Sequence, residues 1–152
     1  MEADVDTQKN RSASWGLLIL RVVVGAVFVM HGGQKLFVMG LPGFAEMLTQ
    51  IGIPLANAAA VVVALVEFVG GALLIAGLFA RPVAALIAID MVVAVLKVHL
   101  HNGFFLPGGY EYALTQLGAN LALIVLGAGA WSIDGWVAGG GSAGSGQPAS
   151  VL

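Results

Sequence analysis

Ionisable side chains lie inside segments that are otherwise apolar, and these residues are the best suited to chemistry. Glu67 interrupts the run ALVEFVGGALLIAGLF, and Asp90 interrupts the run PVAALIAIDMVVAVL. Carboxylates at such positions usually mark a proton path or a substrate path, because an isolated charge is costly in apolar surroundings. The candidate buried polar network consists of Arg21, Glu67, Asp90, Lys97 and Asn120.

A second set of polar side chains falls at the ends of the apolar segments. It consists of His31, Lys35, His99, His101 and Glu111, and it includes every histidine of the chain. Because imidazoles titrate near neutral pH and hydrogen-bond quinone carbonyls, one interpretation is a proton-handling or quinone head-group pocket. The others are a metal site formed by His99-x-His101 with His31 and Glu111, a haem between His31 and His99, and a solvated boundary. The H-x-H motif is too unspecific to assign a metal, and no motif assigns a catalytic residue.

The composition excludes a soluble globular domain. Of the 152 residues, 59% are hydrophobic and 9% are charged, whereas about 25% of the residues of a soluble domain are charged. So few charges cannot form a water-facing surface, so we predict an integral membrane protein surrounded by a lipid bilayer. The net charge of −2 gives no support for a nucleic-acid partner. The absence of cysteine excludes disulfides and thiolate metal sites within the chain.

Four apolar segments have the length that a membrane crossing requires, which is about 20 helical residues for a hydrocarbon core of about 30 Å. They lie at about 15–37, 56–79, 82–100 and 112–131. The predicted fold class is therefore all-α, a four-transmembrane-helix bundle that occupies residues 15–137. The charged residues 1–14 are predicted to be a disordered leader, and the Gly/Ser-rich residues 138–152 a disordered tail.

Four crossings place both termini on the same side of the membrane. Three basic residues (Lys9, Arg11 and Arg81) lie on the side of the termini, and two (Lys35 and Lys97) lie on the other. Because basic residues are enriched in cytoplasmic loops, this difference favours cytoplasmic termini in the cell membrane.

Helical periodicity indicates which way the polar groups point. Glu67 shares a face with Ala60, Ala64 and Gly71, and small residues of this kind let helices approach closely in lipid. Two further faces contain Arg21, Gly25, Phe28, Gly32 and Lys35, and Asp90, Ala94, Lys97 and His101. We therefore expect Arg21 to pair with Glu67; the alternative is that Arg21 extends to the membrane interface. Asn120 and Gln116 share a face, which is also typical of polar contacts between helices.

Several segments together resemble the DoxX family. They are LLILRVVVGAVFVMHGGQKLF (17–37), GFAEMLTQIGIPL (43–55), ALVEFVGGALLIAGLFARPVA (64–84), the LKVHLHNGFF…GGYEYAL run (96–114) and GAGAWSID (127–134). The resemblance implies a four-helix integral protein of the cytoplasmic membrane. The positions most typical of the family are Arg21, Gly25, His31, Gly32, Lys35, Gly52, Pro54, Glu67, Gly70, Gly71, Gly77 and Asp134. Ala130 departs from the pattern, because relatives commonly carry a basic residue there.

The resemblance implies a role in membrane-linked redox or oxidative-stress metabolism. On this interpretation the protein is an accessory or quinone-interacting subunit, with quinone as the candidate cofactor and a membrane-docked redox enzyme as the candidate partner. One alternative is a non-catalytic membrane scaffold that docks a soluble enzyme, and another is a small proton-coupled transporter. The residues alone do not decide whether the protein is an enzyme.

Overall fold

A computed structural model describes residues 2–140 of the chain. Six α-helices occur in this part: α1 (Glu2–Gly33), α2 (Gly40–Gln50), α3 (Ala56–Ala76), α4 (Ala80–Val93), α5 (Glu111–Leu126) and α6 (Ile133–Gly140). A first π-helical segment, Gln34–Val38, extends α1, and a second one, Ala94–His99, extends α4 into a short 3-10 turn at Leu100–Asn102. No strand occurs among the described residues, so the predicted all-α bundle is confirmed.

Three of the helices are long and apolar enough to cross a membrane. They lie within Arg11–Val38, Ala56–Ala76 and Ala80–Asn102, and α5 is a shorter apolar helix. The fourth span, predicted to reach residue 131, ends at Leu126 because Gly127 leaves the helical conformation with φ 79°. The second predicted span likewise ends early, at Ala76, because Gly77 adopts the left-handed conformation that glycine favours at a helix end.

The start of the chain differs from its prediction as a disordered leader. Residues 2–14 are helical, because α1 runs without interruption from Glu2 into the first apolar segment. The sequence before Gly16 contains neither glycine nor proline, so nothing there stops the helical hydrogen bonding from continuing. In the predicted tail, residues 138–140 belong to α6. The remainder of that tail, residues 141–152, lies outside the described residues.

Glycines set the register between α1 and α3. A Cβ atom added at Gly25 would lie 2.5 Å from the carbonyl oxygen of Gly71, and one added at Gly32 would collide with the backbone of Phe68. The partner number falls as the α1 number rises, so the two helices are antiparallel and packed closely along their glycine-containing faces. In this register Arg21 lies beside the end of α3, about two turns away from Glu67.

The described apolar core has two parts. The main cluster joins α1, α3, α4 and α5 through the buried side chains Val24, Phe28, Leu74, Ile87 and Leu123. A smaller cluster contains Phe44, Ala45 and Leu48 of α2 packed on Ala60 of α3. The short amphipathic helix α2 is therefore held against the bundle through α3, with Glu46 and Gln50 exposed on its outer face.

Candidate functional site

A cavity of about 270 Å³ lies inside the bundle, between α2, α3 and the end of α4. Its apolar walls include Phe28, Phe44, Met47, Val63 and Met91. Six polar side chains line it as well: His31, Lys35, Glu67, Asp90, His99 and Tyr112. The cavity therefore contains members of both predicted polar sets, the buried network and the set at the ends of the apolar segments.

Lys35 and Glu67 form an ion pair that lines the cavity. The Lys35 Nζ donates a hydrogen bond to Oε2 of Glu67. The side chain of Glu67 is 4% exposed and that of Lys35 is 17% exposed, so the pair is largely shielded from the surroundings. The ammonium group also lies 5.3 Å from the centre of the Phe44 ring on α2, within the range of a cation–π contact.

Asp90 places a second carboxyl group beside this ion pair. It interacts electrostatically with Glu67 and with Lys35. Its Oδ2 atom is buried and accepts no hydrogen bond from any described residue. The ammonium group of Lys35 thus lies near the carboxyl groups of both Glu67 and Asp90, in largely apolar surroundings. The Oδ2 atom of Asp90 is available to a ligand or to a proton.

His31, Tyr112 and His99 lie around the polar part of the cavity. The Tyr112 hydroxyl is 3.2 Å from Nε2 of His31, and the two rings are tilted with their centres 5.6 Å apart. His31 is exposed although it lines the cavity, so the cavity reaches the protein surface there. His99 is held in place because its Nδ1 donates a hydrogen bond of 2.7 Å to the carbonyl oxygen of Gly108.

The expected pairing of Arg21 with Glu67 is wrong. Arg21 is 1% exposed, and its guanidinium donates hydrogen bonds to the carbonyl oxygens of Leu74, Ile75 and Trp131 at the opposite end of the bundle. The helical period correctly predicted that Arg21 points into the bundle. It did not predict which residues of α3 lie opposite Arg21. The glycine-mediated register of α1 on α3 brings Lys35 to Glu67 instead.

Asp134 completes this second buried site, which we call the arginine site. Its carboxylate interacts electrostatically with Arg21 and accepts hydrogen bonds of 2.9 Å from the backbone N–H groups of Phe79 and Ala80, at the start of α4. The backbone N–H of Asp134 in turn donates to the carbonyl oxygen of Gly77. The arginine site therefore connects α1, the α3–α4 turn and the segment that leads into α6.

Lys97 and His101 do not join the cavity. Both were expected on the same face as Asp90, because a continuous α-helix would bring them there at i+7 and i+11. The second π-helical segment bonds residues five apart and so changes the phase of the helix. Val98 and His99 line the cavity instead, and Lys97 and His101 are exposed. The prediction of Lys97 in a buried network is therefore wrong.

Two other predicted residues have local roles away from the cavity. Asn120 is fully buried, as predicted, but its amide donates a hydrogen bond of 2.8 Å to the carbonyl oxygen of Gln116 in its own helix. Glu111 accepts a hydrogen bond of 2.8 Å from the backbone N–H of Leu106 and thereby shapes the loop before α5. No cluster of three or more histidine or acidic residues able to hold a metal occurs among the described residues.

Tyr112 and the α2 side chains line the cavity, but they were not predicted as parts of the site. A signal for Tyr112 was available, because it directly follows Glu111 at the same end of the bundle as His31. For α2, the alternation of Phe44, Met47 and Leu48 with polar residues indicated an amphipathic helix. Which helix it would cover could not be inferred from that pattern.

Comparisons with known proteins agree with this architecture. The chain is 34% identical over 114 residues to a Bacillus subtilis protein named "Putative oxidoreductase CatD". The aligned region covers 75% of this chain and 82% of the relative. It is 36% identical over 134 residues to the "Uncharacterized membrane protein Rv3486" of Mycobacterium tuberculosis, over 78% of each chain. It is 33% identical over 70 residues to the "Inner membrane protein YphA" of Escherichia coli, over 46% of this chain and 49% of that one.

No solved structure shows significant similarity to the chain. The family model named DoxX matches residues 16–100, which include the Lys35–Glu67 ion pair, Asp90 and most of the cavity wall. Together with the relatives, this match shows that the chain belongs to the DoxX family of membrane proteins.

Proposed function

We propose that this DoxX-family membrane protein binds a quinone in the cavity and acts as a quinone-interacting subunit in membrane-linked redox metabolism. The observation that carries the proposal is a cavity with apolar walls in which Lys35, Glu67, Asp90, His31 and Tyr112 converge. Ligand sites of this type combine mostly apolar walls with a few polar groups that fix the orientation of the ligand.

The chemistry of the walls suits a quinone ring. Lys35 and Tyr112 can donate hydrogen bonds to quinone carbonyl oxygens, and His31 can do so through a ring N–H. Phe28 and Phe44 supply aromatic surface against which a flat ring can pack.

The carboxyl groups supply a place for the protons of quinone chemistry. Reduction of a quinone to a quinol takes up two electrons and two protons. In our proposal the electrons come from a membrane-docked redox enzyme, and the protons pass through the Glu67–Asp90 pair. The buried Oδ2 atom of Asp90 accepts no hydrogen bond from any described residue, so it is a place where such a proton can bind. That one relative is named an oxidoreductase supports this redox role.

Quinone binding to the purified full-length chain in detergent tests the proposal. We expect Lys35→Gln to weaken binding about tenfold or more, because it removes a charge-assisted hydrogen bond worth about 1.5–3 kcal/mol. The matched control is Lys97→Gln, which changes an exposed lysine outside the cavity and leaves binding unchanged. Equal effects of both substitutions, or no binding by the unchanged chain, would contradict the proposal.

Two further measurements distinguish the alternatives. If the protein is a scaffold, Glu67→Gln alters its abundance in the membrane, and no quinone binds to the unchanged chain. If it is a proton-coupled transporter, the chain moves protons across liposomes in the absence of any redox partner. Glu46→Gln is the control for Glu67→Gln, since Glu46 is exposed on α2.

We also propose that both termini face the cytoplasm, from the distribution of basic residues. The chain contains no cysteine, so a cysteine introduced at the exposed Ala138 or Asn102 can be labelled without interference. An impermeant maleimide applied to intact cells is expected to label Asn102→Cys and not Ala138→Cys. The reverse pattern would invert the proposed orientation.

A further inference from the structure

We infer that the ligand enters the cavity sideways from the lipid bilayer, past Val93, and that its apolar chain stays in this opening. The inference rests on the proposed function, because it describes how a quinone would reach the same cavity. It adds a route of entry and a residue that determines specificity for the chain of the ligand.

The helices α3 and α4 pack closely at the end where a short turn joins them. A Cβ atom added at Gly70 would lie 3.2 Å from Cγ1 of Val83 and 3.6 Å from Cδ1 of Ile87. Towards the other end, Val63 of α3 and Val93 of α4 both line the cavity. The cavity therefore occupies the part of the α3–α4 seam that direct contact leaves open.

Val93 connects the cavity with the outer surface of the bundle. It lines the cavity and is nevertheless 40% exposed. Three exposed neighbours of this position along α4 and its extension are apolar as well: Ile89, Val92 and Leu96. The exposed Lys97 lies about one turn further along the chain. An apolar surface within membrane-spanning helices faces lipid, so the opening at Val93 leads to acyl chains.

The opening at His31 differs in polarity. His31 lines the cavity, is exposed and lies next to Tyr112 at the ends of α1 and α5. This side suits water and protons, whereas the side at Val93 suits an apolar chain. Between the two openings, Lys35 and Glu67 face the position that a polar ring would occupy.

The size of the cavity is consistent with a polar ring inside it and an apolar chain outside it. Its volume of about 270 Å³ is slightly below the range of about 300–1,000 Å³ for sites that enclose drug-sized ligands. The cavity can therefore hold a ring-sized head group, while a long isoprenoid chain must lie outside it. The apolar opening at Val93 is the place where such a chain can leave without crossing the polar side.

A pair of tryptophan substitutions in adjacent residues tests the inference. Val93→Trp obstructs the opening, and Val92→Trp is the matched control, because Val92 is also 40% exposed but does not line the cavity. Binding is measured in lipid nanodiscs with a long-chain ubiquinone and with the same ring lacking its chain. We expect Val93→Trp to weaken long-chain binding about tenfold or more, while chain-less binding changes less than about threefold. Val92→Trp is expected to change neither.

A smaller side chain provides a second measurement in case Val93→Trp fails to fold. Val93→Ala widens the opening, so the association rate of the long-chain quinone is expected to rise more than that of the chain-less ring, which can also enter through the polar opening at His31. The inference is overturned if Val93→Trp weakens both ligands equally, since the indole would then only fill the cavity. It is also overturned if neither variant alters long-chain binding. If the unchanged chain binds neither ligand, the proposed function itself fails.

Discussion

The cations Lys35 and Arg21 lie at opposite ends of this bundle, and their surroundings differ. Lys35 pairs with the carboxylate of Glu67 and lines a cavity. Arg21 donates to three backbone carbonyl oxygens, and its guanidinium is packed so tightly against Gly77 that an added Cβ atom would overlap it. The lysine is partly accessible through the cavity, whereas the arginine is enclosed by the chain.

These surroundings make the Lys35 ammonium available to a ligand, whereas the Arg21 guanidinium stabilises the fold. The planar guanidinium has five donors in a rigid arrangement, so it can join several backbone carbonyls from separate helices. The ammonium of Lys35 lies on a flexible stem beside an open volume, and it can reorient towards a ligand. Two basic residues of the first helix and its π-helical extension therefore have different surroundings at the two ends of the bundle.

Arg21→Met is the strongest test of this difference between Arg21 and Lys35, because it should cause the largest loss of stability. Three carbonyl oxygens would lose their charged donor, and Asp134 would lose its electrostatic partner. We expect a loss of about 3–5 kcal/mol in the free energy of unfolding, measured by denaturation in detergent. Arg81→Met is the control, because Arg81 is exposed and its hydrogen bond to Val125 is at the surface. Similar losses for both variants would contradict the structural role of Arg21.

Gly77→Ala should have the next largest effect, because it disturbs the same site without changing a charge. The left-handed conformation with φ 70° disfavours any Cβ atom, and this one would also collide with the Arg21 guanidinium. The expected loss is about 2–4 kcal/mol. Gly118→Ala is the control, because nothing lies within 4 Å of its added Cβ atom. In the same unfolding measurement it should be neutral or slightly stabilising.

At the cavity end, Lys35→Met should have a smaller effect on stability than Arg21→Met. Water or a ligand can reach the Glu67 carboxylate that is left behind, so we expect a loss of about 1–3 kcal/mol. Adding Glu67→Gln should restore part of this loss, because the amide carries no charge. The absence of any such recovery in the double variant would show that the pair is not coupled. Quinone binding should remain weak in both variants.

Tyr112→Phe should have the smallest effect on stability and so separates binding from folding most clearly. It removes the hydroxyl that lies 3.2 Å from His31, at a cost of about 0.5–1.5 kcal/mol. Quinone affinity should fall several-fold, measured alongside the unfolding transition. Tyr110→Phe is the control, because Tyr110 packs on Phe104 and does not line the cavity. Equal quinone affinity in the two variants would remove Tyr112 from the proposed site.

The helices could be predicted because their signals are local. The apolar runs marked α1, α3, α4 and α5, and the polar character of Glu46 and Gln50 marked α2 as too polar to span a membrane. The extent of α1 at its start was missed, because a charged composition suggested disorder where the chain continues a helix. The left-handed glycines at the ends of α3 and α5 shortened two spans that hydropathy alone had lengthened.

The membership of the site was harder to predict than the helices. Glu67, Asp90, His31, Lys35 and His99 were all identified as candidates and all line the cavity. The partners of these residues could not be predicted, because they depend on the register between packed helices. The types and spacing of the polar residues contain no information on that register. The phase of α4 was also lost where the second π-helical segment rotates the side chains that follow it.

The amino-acid sequence by itself determined that this chain is helical, belongs in lipid and carries charges that must turn inward, because hydropathy and helical period are properties of neighbouring residues. Only the tertiary structure decided that Lys35 meets Glu67, that Arg21 is enclosed by backbone carbonyls, and that α2 closes a cavity over the polar groups. These outcomes depend on glycine contacts between distant segments, such as Gly25 on Gly71, where a single methyl group would change the register.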